Sequence, residues 1–322
     1  MFFTLIVPII DPFDRLVKLG ALEGLVSKCV ALKGDHEIIF VNNNSVLGTP
    51  ILTNYLRELA IKSEGAIKNL EPNKNLGIAG GLNLGLKNAD TRFKYAVFVS
   101  SDADPIDASL LLEMGNIMEE HPEIGIAHPM SVFEDFECFN VSSKYGLKAV
   151  RNSIRKRGSE SPADISDYKM RKILKKVKRA KSVYTNRRMT PGTFSIYRRS
   201  MIERIGAFDD RFLACCETDD ICYRALLNGY SVVCLNRLFV NHRRLMFREL
   251  VLGGTPELAR LPHSNIISES QKWWVAKWGR PYIELYAELR YGKKLFKAME
   301  IYFMGRRFAG RIKRLLYQLR GM

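Results

Sequence analysis

The sequence predicts an α/β protein built on an open sheet, and three observations carry that prediction. Short apolar runs of strand length alternate with stretches of helical periodicity from residue 3 to about residue 130. The run Tyr95-Ala96-Val97-Phe98-Val99 holds no charge, as a strand buried on both faces requires. The 322 residues, 47% hydrophobic, suffice to bury a full core, either as one large domain with a tail or as two domains.

In chain order, Phe3–Ile10 reads as a short strand. Leu16, Leu19, Leu22, Leu25 and Val26 recur at helical spacing across 14–32, and His36–Val41 returns to strand. This β-α-β unit ends in the polar turn Asn42-Asn43-Asn44-Ser45. A helix over 50–64 and a strand over 66–70 follow. Next comes the glycine-rich stretch Asn73–Gly85, entering a helix that runs to about Ala89; its glycines permit close backbone approach, and a helix N-terminus favours an anion. The G-x-G-x-x-G spacing of a dinucleotide fingerprint is absent. Strand 95–99, helix 108–120 and strand 124–128 continue the alternation, with Pro105 expected to end ladder pairing after 99.

Between Lys144 and Arg188 the composition changes to sixteen Lys/Arg against three Asp/Glu, with a basic helix over 170–181. A solvated face, a flap, a lid over a diphosphate and a lipid contact all fit that segment. Beyond it, a strand over 190–197, a helix over 198–205, a helix from Glu217 to Gly229 and strands over 231–235 and 238–242 complete the ordered part. The tail, 251–322, is read as a helical extension, separate from a domain over 1–250 with its insert at about 144–188.

The candidate chemistry sits where strands end. Asp102 and Asp104 follow a buried strand, the place where open α/β sheets bind ligands. Two carboxylates at i and i+2 suit a hard cation, Mg²⁺ or Mn²⁺, shared with substrate phosphates, and a capped turn accounts for the same pattern. Glu217, Asp220 and Arg224 share one helical face and Asp219 lies off it. His242 closes the last strand, where a structural role and a ligand role are both open.

Composition narrows the partners. Fifty Lys+Arg against 34 Asp+Glu give a net charge of +16, which calls for an anionic partner. Zinc spacing and RNP-type aromatic patterns are absent, and the charge gathers in 144–188 and the tail, so nucleic acid is not expected. The six cysteines show no metal spacing and no dense disulfide framework, which fits a reduced, cytoplasmic protein. No leader and no run of about 18 apolar residues is present, so neither secretion nor a membrane span is expected.

Taken in order, these motifs resemble the family 2 inverting, nucleotide-sugar glycosyltransferases. The resemblance rests on Ile6-Val7-Pro8, Asn42–Ser45, Asn75-Leu76-Gly77 with Asn83-Leu84-Gly85, and Asp102-Ala103-Asp104. It extends through Gly206-Ala207-Phe208-Asp209-Asp210-Arg211-Phe212 and Glu217–Arg224 to His242. Asn42 stands where the family has an aspartate, and Thr218 where it has the second acid of a Glu-Asp pair. The resemblance implies a GT-A fold: a Rossmann-like α/β mixed sheet flanked by helices, carrying the basic insert and the helical extension.

It further implies a nucleotide-sugar site at Pro8, Asp11, Asn42, Asn43, Asn75 and Gly77, continued by Asn83, Ser101, Asp102 and Gly192. A divalent metal, Mg or Mn, falls to Asp102, Asp104 and His242, and the base to Glu217, with Asp219 as the second choice. Asn42 is expected to accept the N3–H of uracil or thymine through its amide oxygen, so the donor is a UDP- or dTDP-sugar. The acceptor is a glycan or lipid-linked glycan hydroxyl. A sugar nucleotidyltransferase, or a non-catalytic basic protein binding nucleic acid or glycan, is the alternative. From Gln271 to Met322, thirteen Lys/Arg against three Glu interleave with aromatics, the composition of a helix lying on an anionic membrane. A helix packed on the catalytic domain, or on a second copy in a homo-oligomer, fits equally.

Overall fold

The computed structural model describes residues 2–9, 11, 15–18, 20–43, 50–131, 180, 182–212, 215–242 and 263–279, apart from the side chains of 15 and 263–268. The chain divides into two compact units, Met1–Trp273 and Trp274–Met322. The fold is described for the first.

Its elements are β1 (Phe2–Ile9), α1 (Arg15–Lys18), α2 (Ala21–Val30), β2 (Asp35–Asn42), α3 (Pro50–Lys62), β3 (Ile67–Leu70), α4 (Gly77–Lys87), β4 (Tyr95–Val99), β5 (Ala103–Pro105), α5 (Leu110–Glu120), β6 (Ile124–Ser131), β7 (Tyr184–Arg187), β8 (Phe194–Arg198), α6 (Arg199–Ile205), α7 (Glu217–Leu227) and β9 (Ser231–His242). A last helix, α8, spans His263–Trp278, and the boundary between the units falls within it. One nine-stranded mixed sheet runs β3-β2-β1-β4-β8-β6-β9-β5, with β7 also on β9. Strands β1 to β4 are parallel, β8 is antiparallel to both β4 and β6, and β6 and β9 are parallel. Strands β5 and β7 each pair antiparallel with β9.

Period-two alternation sends neighbouring strand residues into two separate cores. Phe3, Leu5, Val7 and Ile9, with Ile38, Phe40, Tyr95, Val97 and Val99, enter one core with side chains of α1, α2, α3 and α5. Ile6, Ile39, Val41 and Phe98 enter the other, against Ala79 and Leu82 of α4, Met201 of α6 and Ile221, Cys222 and Ala225 of α7. The strands read as continuous apolar runs because both faces are covered.

Four local expectations change. The helix over 14–32 breaks at Gly20, whose φ of 65° lies in the left-handed region, giving α1 and α2. Pro105 does not stop pairing: it sits in β5, opposite Val240, at the edge of the sheet, where a strand needs partners on one side only. Residues 184–187 of the basic segment form β7 on β9. The two strands expected over 231–242 are one, β9, whose register against β6 shifts between Pro129 and Met130. The rest of the basic segment, including all of the expected helix over 170–181 but Ala180, and the tail beyond Gly279 lie outside the described residues.

Candidate active site

Sheet polarity gathers the site. Parallel β1, β2 and β4 end at one rim, and β8 runs against β4, so the residues just before β8 arrive at the same place: Val99 pairs with Phe194, and the Ser100 amide donates to the Thr193 carbonyl at 2.8 Å. Strand β9 ends at His242 opposite Ala103. At Gly192 an added Cβ would lie 3.4 Å from Phe98 and 3.6 Å from the Thr218 methyl, so the chain before β8 runs directly along the start of α7. Gly192-Thr193 therefore stands between two polar groups, one around Asp102 and one at the head of α7.

In the first group, Asp102 Oδ1 accepts the Ser100 hydroxyl at 2.6 Å and lies 3.2 Å from His242 Nε2. The other ring nitrogen of His242 is 3.0 Å from the Thr193 hydroxyl, which orients the imidazole. Burial pushes the Asp102 carboxyl up, but the hydrogen bond and charge of His242 and the Ser100 hydroxyl outweigh it, and the net shift is downward. Asp102 is therefore a carboxylate at neutral pH.

The structure does not bring Asp104 to this pair. Ala103 pairs with His242 and Asp104 with Asn241, so Asp104 leaves the opposite face of the ladder from His242, and its Oδ1 forms an ion pair with Lys28 of α2. The expected trio of metal ligands is thus divided: Asp102 lies in the turn before β5, and the antiparallel register of β5 on β9 sets Asp104 on the face away from His242. Among the described residues no three His, Cys, Asp or Glu side chains enclose a metal. Asp102 and His242 do fit one: cis ligands at about 2.1 Å from an octahedral ion stand about 3 Å apart, close to the 3.2 Å seen here. An oxygen and an imidazole nitrogen suit Mn²⁺ better than Mg²⁺.

In the second group, Glu217, Thr218, Asp219 and Asp220 are four consecutive polar residues, all buried, at the head of α7. The helix starts at Cys216, whose φ of 72° is unusual for a residue with a side chain. Asp220 and Arg224 pair at 2.8 Å, and the guanidinium also donates to the carbonyls of Ile205, Gly206 and Ala207. That pair ties α7 to the turn after α6 and is structural. Glu217 differs. Burial pushes its carboxyl up to about 8, Asp219 adding to the shift, and Oε2 makes no hydrogen bond among the described residues. Asp219 is 7% exposed beside it.

The residues expected at the nucleotide-sugar site divide by what holds them. Asn42 is fully buried and donates through Nδ2 to Thr53, which identifies its amide oxygen as the acceptor. Asn43 donates to the Gly77 carbonyl and accepts from the Leu76 amide, clamping the end of β2 to the start of α4, while Asn75 accepts from the Gly77 amide in an Asx turn. Asn83 makes a two-way pair with the Phe208 backbone, 2.7 and 3.0 Å, so it joins α4 to the Gly206–Phe212 turn. Asp11 accepts the Leu16 amide of α1 at 2.6 Å, and Pro8 lies against Gly81 of α4. Ser101 lies in the turn between β4 and β5. Sequence reasoning missed Ser100 and Thr193, which act only through contacts across the sheet; no local spacing announces them.

The family model described as Glycosyl transferase family 2 matches residues 19–206. No curated protein matches the chain. Among solved structures, the mannosyltransferase PcManGT from Pyrobaculum calidifontis, in complex with GDP-Man and Mn²⁺, is similar at TM-score 0.51 and 14% identity, covering 86% of this chain and 76% of that one. GalNAc-T7 with UDP, GalNAc and Mn²⁺ is similar at TM-score 0.52 and 11% identity over 87% of this chain, which spans 56% of that one.

Proposed function

Because the chain belongs to glycosyl transferase family 2 and has the GT-A fold, we propose that it moves a sugar from a nucleoside-diphosphate donor, a UDP- or dTDP-sugar, to a hydroxyl of a glycan or lipid-linked glycan, with inversion. One observation carries the reading: Thr193 holds the Asp102–His242 pair, which fits a metal, and Gly192 beside it runs along the head of α7, where Glu217 is a buried carboxyl of raised proton affinity. The family match ends at residue 206, so the roles of Glu217 and His242 rest on this geometry.

In the proposed reaction the acceptor oxygen bonds to the anomeric carbon while the bond to the diphosphate breaks. Glu217 takes the hydroxyl proton as general base, and a proton affinity near neutrality suits that task. Asp102 and His242 would hold a divalent cation, which would supply charge neutralisation for the departing diphosphate. Thr193 holds the His242 ring, and Ser100 holds Asp102. Asn42, held by Thr53 at the end of β2, is the residue proposed to read a pyrimidine N3–H, as in UDP or dTDP. The two solved neighbours, one with GDP-Man and one with UDP and GalNAc, both with Mn²⁺, support a nucleotide sugar and a metal for either kind of nucleobase.

The protein is proposed to work in the cytoplasm at the membrane face. No described helix is long and apolar enough to cross a membrane. The basic and aromatic tail from Gln271 supports a peripheral contact that concentrates a lipid-linked acceptor. The test is thermal stabilisation of the full chain by UDP-, dTDP- and GDP-sugars with and without Mn²⁺. Binding to the folded state raises the melting temperature by mass action. Metal-dependent stabilisation by a pyrimidine nucleotide sugar is expected, and its absence for every nucleotide sugar overturns the reading.

A further inference from the structure

We propose that Cys215 and Cys216 are a reversible oxidation site, two neighbouring thiols that close to a vicinal disulfide at the head of α7. Their sulfurs lie 3.5 Å apart. Adjacent side chains in a strand point to opposite faces, and in a helix they diverge around the axis; here the left-handed turn at Cys216, φ 72°, folds them together. Closure to a bond of about 2.05 Å brings the sulfurs about 1.5 Å nearer.

The pair also has the asymmetry that the chemistry needs. Cys215 is partly exposed and Cys216 is buried. The Cys215 thiol is held below its ordinary value by hydrogen bonds from Cys216 and Ser270, against the effect of burial. The other described thiols, Cys29, Cys222 and Cys234, are all buried, and burial pushes Cys29 and Cys222 up to about 12. Oxidant thus meets Cys215 first.

The oxidant is a peroxide. The Cys215 thiolate attacks one peroxide oxygen, the O–O bond breaks, and hydroxide leaves, so Cys215 becomes a sulfenic acid. The Cys216 sulfur then attacks the Cys215 sulfur, and its proton departs with the displaced hydroxide as water. Two thiols lose two electrons and two hydrogens, and hydrogen peroxide becomes two waters. Neighbouring Cα atoms about 3.8 Å apart stand closer than the usual range of about 4.4–6.8 Å for disulfides. The bond is strained and belongs to the easily reduced, labile class.

The consequence reaches the next residue. The Cys216 carbonyl accepts the Asp220 amide at 2.8 Å in the first turn of α7, and Glu217 follows directly. Rebuilding the Cys216 backbone moves Glu217, and this part of the inference rests on Glu217 being the base.

The test treats the full chain with hydrogen peroxide, alkylates remaining thiols with N-ethylmaleimide, and maps peptides by mass. The peptide holding 215 and 216 is expected to lose two hydrogens, resist alkylation and recover in dithiothreitol. Transfer should fall about 10²-fold and return on reduction, and Cys215→Ser should resist the loss. Addition of oxygens in place of hydrogen loss, or continued alkylation of both thiols, overturns the site. A disulfide that forms and leaves transfer unchanged overturns the link to α7. The mass readout needs neither the variant nor any transferase activity, so failure of the glycosyl-transfer reading is told apart from failure of the thiol chemistry.

Discussion

Glu217 shows at the residue scale how burial sets both chemistry and stability. A carboxyl pushed up to about 8 is protonated in the resting protein at pH 7 and must ionise to accept a proton. Transfer is therefore expected to rise with pH up to about 8, read from the pH profile of kcat/KM. Glu217→Gln keeps the size of the side chain, so it should retain nucleotide-sugar binding while losing about 10²–10⁴ in rate; an active Glu217→Gln beside an inactive Asp219→Asn would transfer the role to Asp219. Stability has the opposite slope. Between the ordinary glutamate range and about pH 8 the folded chain holds a proton that the unfolded chain has released, so stability falls as pH rises through that window. Melting curves from pH 5 to 9 should show this decline in the native protein and a flatter profile in Glu217→Gln.

Asp102 and Asp104 make a second contrast at this scale. Asp102→Ala should abolish Mn²⁺-dependent stabilisation by a nucleotide sugar. Asp104→Ala removes an ion pair to a half-exposed lysine, worth about 0–1 kcal/mol, and should leave the metal response intact. Equal loss in both variants in a Mn²⁺ titration would restore the expectation that the two carboxylates act as one site.

Among the elements, α4 owes its position to Gly85. An added Cβ there would stand 2.4 Å from the Ile6 Cγ2 and 3.1 Å from two further atoms of that branched side chain, so the helix touches β1 at closest approach. Gly85→Ala gains about 1 kcal/mol of helix propensity, yet overpacking of this kind costs about 1–3 kcal/mol. A net loss of stability in urea unfolding is expected. Ile6→Ala removes the clashing atoms, so the double variant should be less destabilised than the sum of the singles. Since Asn83 on the same helix holds Phe208 through both its amide atoms, a shifted α4 also disturbs the turn leading to α7.

For the molecule as a whole, a net charge of +16 with a basic, aromatic tail predicts binding to anionic surfaces. The full chain should sediment with anionic liposomes and not with neutral ones, lose that binding at high salt, and lose it on truncation before Tyr291. Recovery of both proteins in the supernatant at low salt removes the membrane from the proposal.

How much of this was legible beforehand depended on whether the signal was local. Apart from the break at Gly20 and the short β5, strand and helix order from β1 to α5 could be read from apolar periodicity, and the pairing of Asp220 with Arg224 from their spacing of four, because both are properties of a few consecutive residues. The order of motifs from Ile6 to His242 pointed to family 2 for the same reason. What depended on strand pairing could not be read in this way. Only the antiparallel register of β5 on β9 separates Asp104 from His242, only the run of β8 against β4 delivers Thr193 to the imidazole, and only the depth of the α7 head turns Glu217 into a weak acid. Register, burial and desolvation arise between segments distant in sequence, so by itself the sequence determined the elements and the residue types at their ends, and the tertiary structure decided which of those residues meet.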